Sequence, residues 1–390
     1  MAQPVEKSET TKTYHMNEVL VSTQRLYEQI GLSTEQFVRD DVEKSSASSI
    51  SEIVSAKSGV FIKDYGGSGI KTISQRGLGT EHSVILLNGM RISSMQNGLM
   101  DLGLFPLEEI ELLEIAQGGY SALVGADAIG GVVNLVTLPL ISQQKLRLSS
   151  RFGSFGEQGI RFHGVTNIGD AMIQASYGQQ QSRGNFPFNF SNGNLTYNLE
   201  RKNVDMQSKY GTLQSSFSFD GHDLMQVAVY SYSSERGVGG LVVGPVSESK
   251  ARQTDEEEVV QLLYRRTLNN SFTFAWNAQL HHQYERYSDA MLNVGGVSLD
   301  NYFKNNELRI EPRVNYRKDS SFSIMLGGEA VKTVAEGNVV KTNVERNLYA
   351  AYVLTDVSMD LGSGIFRELT LMPSLRYDVV TSLLSSFSPQ

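Results

Sequence analysis

The chain has 390 residues, 40% of them apolar, and a formal net charge of −8. It carries no basic cluster to set against phosphates, so nucleic acid is a poor partner. It has no cysteine, which excludes disulfides, thiol catalysis and Cys-ligated zinc and suits an oxidising compartment. No run of about 18 consecutive apolar residues exists, which removes a transmembrane helix but not a membrane β-barrel, where only alternate residues face lipid.

Taken in order, Met1-Ala2-Gln3-Pro4 has no basic n-region and no apolar h-region, as expected of a mature chain with an added Met or of a chain missing its signal peptide. Residues 1–44 read as a flexible polar tail. Inside it Asn17–Arg25 is a short β-prone island, Glu18-Val19-Leu20-Val21-Ser22-Thr23 at its centre. Such an island either adds to another protein's sheet edge or forms the first strand of the next domain.

Residues 45–137 read as one small α/β unit. Ser48 or Ser49 caps a helix running to about Lys57, with Gly59 as the stop. Val60–Tyr65 is a strand ending in Gly66-Gly67-Ser68-Gly69. Asn88-Gly89, between Val84–Leu87 and Met90–Ser93, is a type I′ hairpin signal. Pro106 opens a helical turn, and Ile110–Ala116 is a strand. Gly125 to Gly131 is a small-residue segment feeding the β-branched run Val132–Thr137, a buried strand, with Gly130 and Gly131 allowing close backbone approach at its entry.

After a link at 138–144, residues 145–390 change to long alternating strands. In 272–281, Phe272, Phe274, Trp276, Ala278 and Leu280 point one way; Thr273, Ala275, Asn277, Gln279 and His281 point the other. Eleven such strands are expected, near 145–153, 159–167, 171–182, 207–219, 223–234, 257–268, 271–286, 303–317, 321–333, 343–357 and 366–378. Their connections alternate between tight turns (167–170, 220–223, 269–270, 318–320) and long polar loops (183–206, 235–256, 287–302). That sorting by end is the asymmetry of outer-membrane barrels.

Gly66-Gly67-Ser68-Gly69, Arg76-Gly77, Val84–Gly89, Phe105-Pro106 and the 118–137 segment with Gly125, Gly130, Gly131 and Asn134 occur in an order and at spacings that resemble the plug domain of TonB-dependent outer-membrane receptors. Within that family the pattern is nearest the cobalamin-transporter type. The resemblance implies a mixed α/β plug followed by an antiparallel transmembrane β-barrel, here about eleven of an expected 22 strands. It implies a Gram-negative outer-membrane location with the tail in the periplasm, and TonB-dependent uptake of a scarce nutrient, cobalamin-like or an iron–siderophore. It sets the Asn17–Arg25 run at the TonB box, with Glu18–Thr23 binding TonB and its inner-membrane energising complex. It sets ligand contacts at plug apices Tyr65, Gly66, Gly67, Ser68, Gly69 and Ile92, Ser93, Ser94, Met95, Gln96, Asn97. It also makes Arg76 a partner of barrel carboxylates, with Gly77, Asn88 and Gly89 structural.

The chain departs from the family pattern at Gln117, Gly119, Val124 and Asn88, where an Arg, a Pro, an aromatic and an Asp are usual. Eleven strands are half a barrel, and an open half-barrel exposes edges that lipid does not tolerate. A fragment, a truncated frame or one half of a split barrel are the alternatives, with a missing C-terminal half as partner.

No catalytic pair and no cofactor site is expected. The Gly66–Gly69 loop lacks the Lys-Ser/Thr of a phosphate cradle. Asp255-Glu256-Glu257-Glu258 has oxygen ligands for calcium, but it reads better as a solvated loop end, and 183–206 offers only Glu200 and Asp205. His281 and His282 alternate across a strand and do not share a metal. The rival reading is a non-transporting structural or adhesin-like barrel with a relic plug.

Overall fold

The computed structural model describes residues 34–44, 49–55, 60–64, 69–94, 100–118, 120–125, 127–137, 144–242, 248–294, 297–340, 343–362 and 368–383. The run 17–25, expected to be a TonB box, lies outside them. Among the described residues no helix is long and apolar enough to cross a membrane.

The plug opens earlier than its sequence suggests. Strand β1 (Thr34–Val38) and helix α1 (Arg39–Lys44) precede α2 (Ile50–Ser55). Only Phe37 and Val38 in β1 are apolar, so the strand has no pattern of its own; it exists because it pairs antiparallel with β6 (Leu112–Gln117). Ser49 stands at the N-terminus of α2 and accepts from Glu52 N through Oγ at 3.4 Å. β2 (Val60–Asp64) and β3 (Lys71–Gln75) form a separate two-stranded ribbon. β4 (Ser83–Leu87), β5 (Met90–Ile92) and β7 (Gly131–Val136), entered from α3 (Ser121–Val124), complete a five-stranded sheet in the order β1-β6-β7-β4-β5. All its pairs are antiparallel except β4 with β7. β7 is buried at every position, as its run of Val and Leu demands. Ile50, Val54, Leu102, Leu113 and Leu135 are fully buried in the plug core, which extends to Tyr210, Tyr230, Tyr232 and Val259 of the surrounding wall.

That wall is one antiparallel sheet. It runs through β8 (Lys145–Phe152), β9 (Gln158–Ile168), β10 (Ala171–Ser182), β13 (Met206–Phe217), β14 (Asp223–Val238), β15 (Ala251–Thr267), β16 (Phe272–Val294), β17 (Val297–Arg317), β18 (Phe322–Gly337) and β19 (Val344–Asp360). The eleventh strand comes in two pieces, β20 (Glu368–Leu371) and β21 (Ser374–Leu383), both on β19. Pro373, which has no N–H to give the ladder, sits in the break. The first and last of these strands do not pair with each other, so the sheet is open.

One end of the sheet closes with side-chain-braced turns. Asp220, Asn269 and Asp319 each accept, through Oδ1, the amide two residues on, at 2.9, 2.9 and 2.8 Å. At the other end the expected long loops are mostly ribbon. Residues 183–205 carry a hairpin, β11 (Phe186–Asn192) with β12 (Leu195–Arg201). Strands β14 and β15 leave only 239–250 between them, and β16 and β17 continue as ladder to Val294 and Val297. Strands of 23 and 21 residues exceed the roughly 9–11 that cross a bilayer. Their upper parts carry mostly polar residues on both faces, so no apolar alternation marks them.

Candidate functional site

The site is built where the plug meets the wall, and it begins with a turn. Asn88 and Gly89 adopt φ 50° and 79°, the type I′ hairpin geometry. The Asn88 side chain then spans the gap. Its Oδ1 accepts from Thr137 N at 2.9 Å, and its Nδ2 donates to Gln261 Oε1 at 2.9 Å. Gln261 donates from Nε2 to Leu87 O at 2.8 Å, and the Gln279 amide reaches Arg91 O at 2.9 Å. Gln214 donates to Thr137 Oγ1 at 3.2 Å. Gln261 faces Gln279 across one ladder and Gln174 faces Gln214 across another, so inward-pointing alternation lines the wall with amides at plug level. Behind the turn, Asn134 accepts from Gly89 N at 2.9 Å and donates to Glu114 at 2.8 Å. Neutral hydrogen bonds of this kind each contribute about 1 kcal/mol net, and water can replace them one by one.

A second anchor is ionic. Asp101 accepts through Oδ1 from the amides of Lys71 and Gly103, both at 2.9 Å, and pairs through Oδ2 with Arg236 at 3.0 Å. Arg236 also reaches Asp255 at 2.9 Å. Beside it, Tyr230 donates to Leu104 O at 2.6 Å and stacks on Phe105 with ring centroids 5.3 Å apart. Glu109 accepts from Thr212 Oγ1 at 3.1 Å, and burial pushes its carboxyl above the ordinary range. A third anchor holds α3, where Arg376 donates to Leu123 O at 3.2 Å while pairing with Glu329 (2.5 Å) and Asp378 (2.8 Å). Arg309 pairs with Glu307 (2.9 Å) and with Glu329. The sequence reading missed Asp101, Glu109, Arg236 and Arg376. The one available signal was charge at inward parity, as in Arg236 and Arg376.

Several expected residues stand elsewhere. Arg76 has φ 56° beside Gly77 at 71°, is exposed, and meets no barrel carboxylate among the described residues; its guanidinium lies over Gly118. The plug–wall ion pair is made instead by Asp101. Ile92, at the end of β5, is 1% exposed and Ser94, two residues on, 4%, while Ser93 is half-buried; Ile92 and Ser94 offer no ligand surface. Tyr65–Ser68, Met95–Asn97 and the expected TonB-binding residues Glu18–Thr23 lie outside the described residues. Gly69 lines a cavity of about 400 Å³ between plug and wall, together with Gly103, Phe105, Tyr210 and Tyr232. Gly125 (φ 99°) ends α3, and at Gly130 a Cβ would come within 2.8 Å of His82 O.

The Asp255–Glu258 run is split by strand parity. Asp255 and Glu257 are buried inside, Glu256 and Glu258 exposed outside. His281 points inward to Glu257 at 2.6 Å and His282 outward to Asn306 at 2.8 Å. No group of three metal-ligating residues forms among the described residues.

A family model for the TonB-dependent receptor plug domain matches residues 28–132. The chain carries a TonB-dependent receptor plug domain. The match begins ahead of β1 and covers the anchored sheet to the start of β7. The chain is 23% identical over 365 residues to the vitamin B12 transporter BtuB of Vibrio cholerae, covering 80% of this chain and 60% of that protein. Over 166 residues it is 29% identical to the vitamin B12 transporter BtuB of Vibrio vulnificus, 41% of this chain and 27% of that one. Among solved structures, the unliganded ferric citrate transporter FecA superposes with a TM-score of 0.66 at 16% identity, over 91% of this chain and 57% of that chain. The ferric yersiniabactin uptake receptor FyuA of Yersinia pestis gives 0.63 at 13%, over 90% and 61%. The chain thus spans about 60% of the length of the curated relative it matches over most of its length. Its fold is that of a plug and part of a barrel, as in TonB-dependent receptors of the Gram-negative outer membrane.

Proposed function

We propose that the protein takes up a scarce nutrient, cobalamin-like or an iron–siderophore, across the outer membrane with energy supplied through TonB. The observation that carries this is the seating of the plug. A folded sheet is held against the wall by amide hydrogen bonds, a few ion pairs and local apolar contacts such as Phe105 on Tyr230, with no covalent link, so it can be displaced without unfolding the barrel. Ligand meets the outer face of the plug at Gly69 and at the runs the family resemblance marks as ligand contacts, Tyr65–Ser68 and Met95–Asn97. Occupancy frees the Asn17–Arg25 run, whose residues Glu18–Thr23 add as a strand to TonB. Pull on that tail reaches β1 first, an edge strand that pairs with β6 alone. The partner set is therefore TonB with its inner-membrane complex, outer-membrane lipid, a small-molecule ligand, and further strands that close the open sheet, since free strand edges are too costly in hydrocarbon.

The test is uptake of radiolabelled vitamin B12 and of iron-55 chelates by cells whose own receptors are deleted. Uptake should need both the receptor and TonB and should stop when the proton gradient is collapsed. Uptake that continues without TonB would contradict the proposal.

A further inference from the structure

The outer face of the wall carries a concavity of about 480 Å³, lined by Glu256, His282, Tyr284, Tyr302 and Lys304. Strand parity points these side chains away from the plug, since Asp255, Glu257, His281, Gln283 and Asn305 between them are buried on the inner face. Cross-strand register builds the site. Glu256, Tyr284 and Lys304 are successive partners in one row across β15, β16 and β17. In the row above, Arg286 faces Tyr302 and forks onto Asp300 at 2.8 and 2.7 Å. In the row below, His282 donates from Nδ1 to Asn306 at 2.8 Å. Beneath that lies the last apolar row, Val260, Leu280 and Leu308, which are 41%, 56% and 41% exposed.

The polar groups here are unspent. Lys304 Nζ lies 5.9 Å from the Tyr284 ring centroid and makes no ion pair among the described residues. The Glu256 carboxylate and the Tyr284 and Tyr302 hydroxyls have no hydrogen-bond partner among them either. Glu256 and Lys304 flank Tyr284 at two strand spacings, about 10 Å, too far to pair with each other. The two tyrosine rings stand 6.3 Å apart in that gap. A belt of interfacial tyrosines would account for the rings, but not for a free carboxylate and a free ammonium beside them. Together they suit a phosphorylated sugar. The carboxylate accepts from hydroxyls, the rings lie against the C–H face of the sugar, and the ammonium takes a phosphate oxygen.

Depth identifies where such a sugar comes from. Tyr284 is four residues beyond Leu280, about 13 Å along the strand and about 10 Å in height at the usual barrel tilt. The headgroup layer of an ordinary bilayer is about 5–8 Å thick on each side. The row therefore stands at the upper edge of phospholipid headgroups and within the reach of a larger, sugar-bearing one, continuous with the acyl-facing band below. We propose that this concavity holds the headgroup of an outer-leaflet glycolipid, with its phosphate on Lys304 and its sugar hydroxyls on Glu256. The inference rests on the outer-membrane placement of the wall and not on the uptake reading.

The experiment is native mass spectrometry of the full-length protein in detergent, titrated with a bisphosphorylated disaccharide lipid, with its dephosphorylated form and with phosphatidylglycerol. The bisphosphorylated glycolipid should be retained most tightly. Lys304→Gln should weaken it by about tenfold, and Lys304→Arg by less because charge is kept. Glu256→Gln and Tyr284→Ala should weaken it without changing phosphatidylglycerol retention. All three positions face outward, and heat-modifiable migration checks that each variant still folds. Equal retention of phosphatidylglycerol and the glycolipid would show that no sugar is read and overturns the inference. Glycolipid binding unchanged in the Lys304 and Glu256 variants overturns it too, as does a protein dimer in detergent that Tyr284→Ala dissolves, because the face would then hold a second copy. None of these results bears on TonB-dependent uptake, which stands or falls by its own assay.

Discussion

Asp101 carries the plug's ionic anchor, and its neighbourhood gives two residue-scale predictions. It is 8% exposed, with two amides and one guanidinium on its carboxylate. Breaking one partner of a buried pair leaves the other charge uncompensated. Asp101→Asn should cost about 3 kcal/mol, the lower end of the usual range because Arg236 keeps Asp255; urea unfolding in detergent measures it, and a loss below about 1 kcal/mol would mean the pair does not hold the plug. Glu109 answers to pH. Burial raises its folded pKa above 4.5, so the folded state keeps its proton longer than the unfolded one. Its contribution is therefore most favourable below the unfolded pKa and falls as pH rises through the raised value. Glu109→Gln should flatten that part of the stability profile, read as the thermal midpoint against pH, and an unchanged slope would place the titration elsewhere. Local chemistry made Asn88-Gly89 legible in the sequence, because a turn is decided by its own residues. The Asp101–Arg236 pair was not legible, because it joins positions 135 residues apart.

Strands β8 to β21 obey one rule inside the membrane and another above it. Within the band, outward apolar residues alternate with inward polar ones. On β16, Trp276 and Leu280 face out while Asn277 and Gln279 are buried inside. That alternation is why eleven wall strands could be read from sequence. Higher up, both faces carry mostly polar residues, the period-two apolar signal fades, and 235–256 and 287–302 look like loops although much of each is ladder. The β11–β12 hairpin was lost for the same reason. β1 was lost because an edge strand borrows its stability from β6. Trp276→Arg, near the middle of the outward apolar run, should cost about 2–4 kcal/mol in unfolding from bilayers. Glu258→Arg, on the outward face of β15 above that run, should cost at most about 1 kcal/mol. Equal costs would show that the band is misplaced.

At the scale of the whole molecule, the wall is open and its outer face is apolar. Leu146, Leu148, Leu375 and Tyr377, on the first and last strands, are each about 70–75% exposed. Each unpaired backbone group on those edges costs several kcal/mol in hydrocarbon. Residues 1–390 produced by themselves behind an export signal should therefore not migrate as a compact heat-modifiable barrel. Addition of closing strands should restore that behaviour, and a compact barrel without them would show that the wall closes differently. The central claim is that this wall holds a plug coupled to TonB through the tail ahead of β1. Calorimetric titration of a peptide of residues 1–33 into the periplasmic domain of TonB tests it most directly. Binding in the micromolar range is expected, abolished by Leu20→Pro, which removes a ladder donor and fixes φ; no detectable heat at high micromolar peptide would contradict the account.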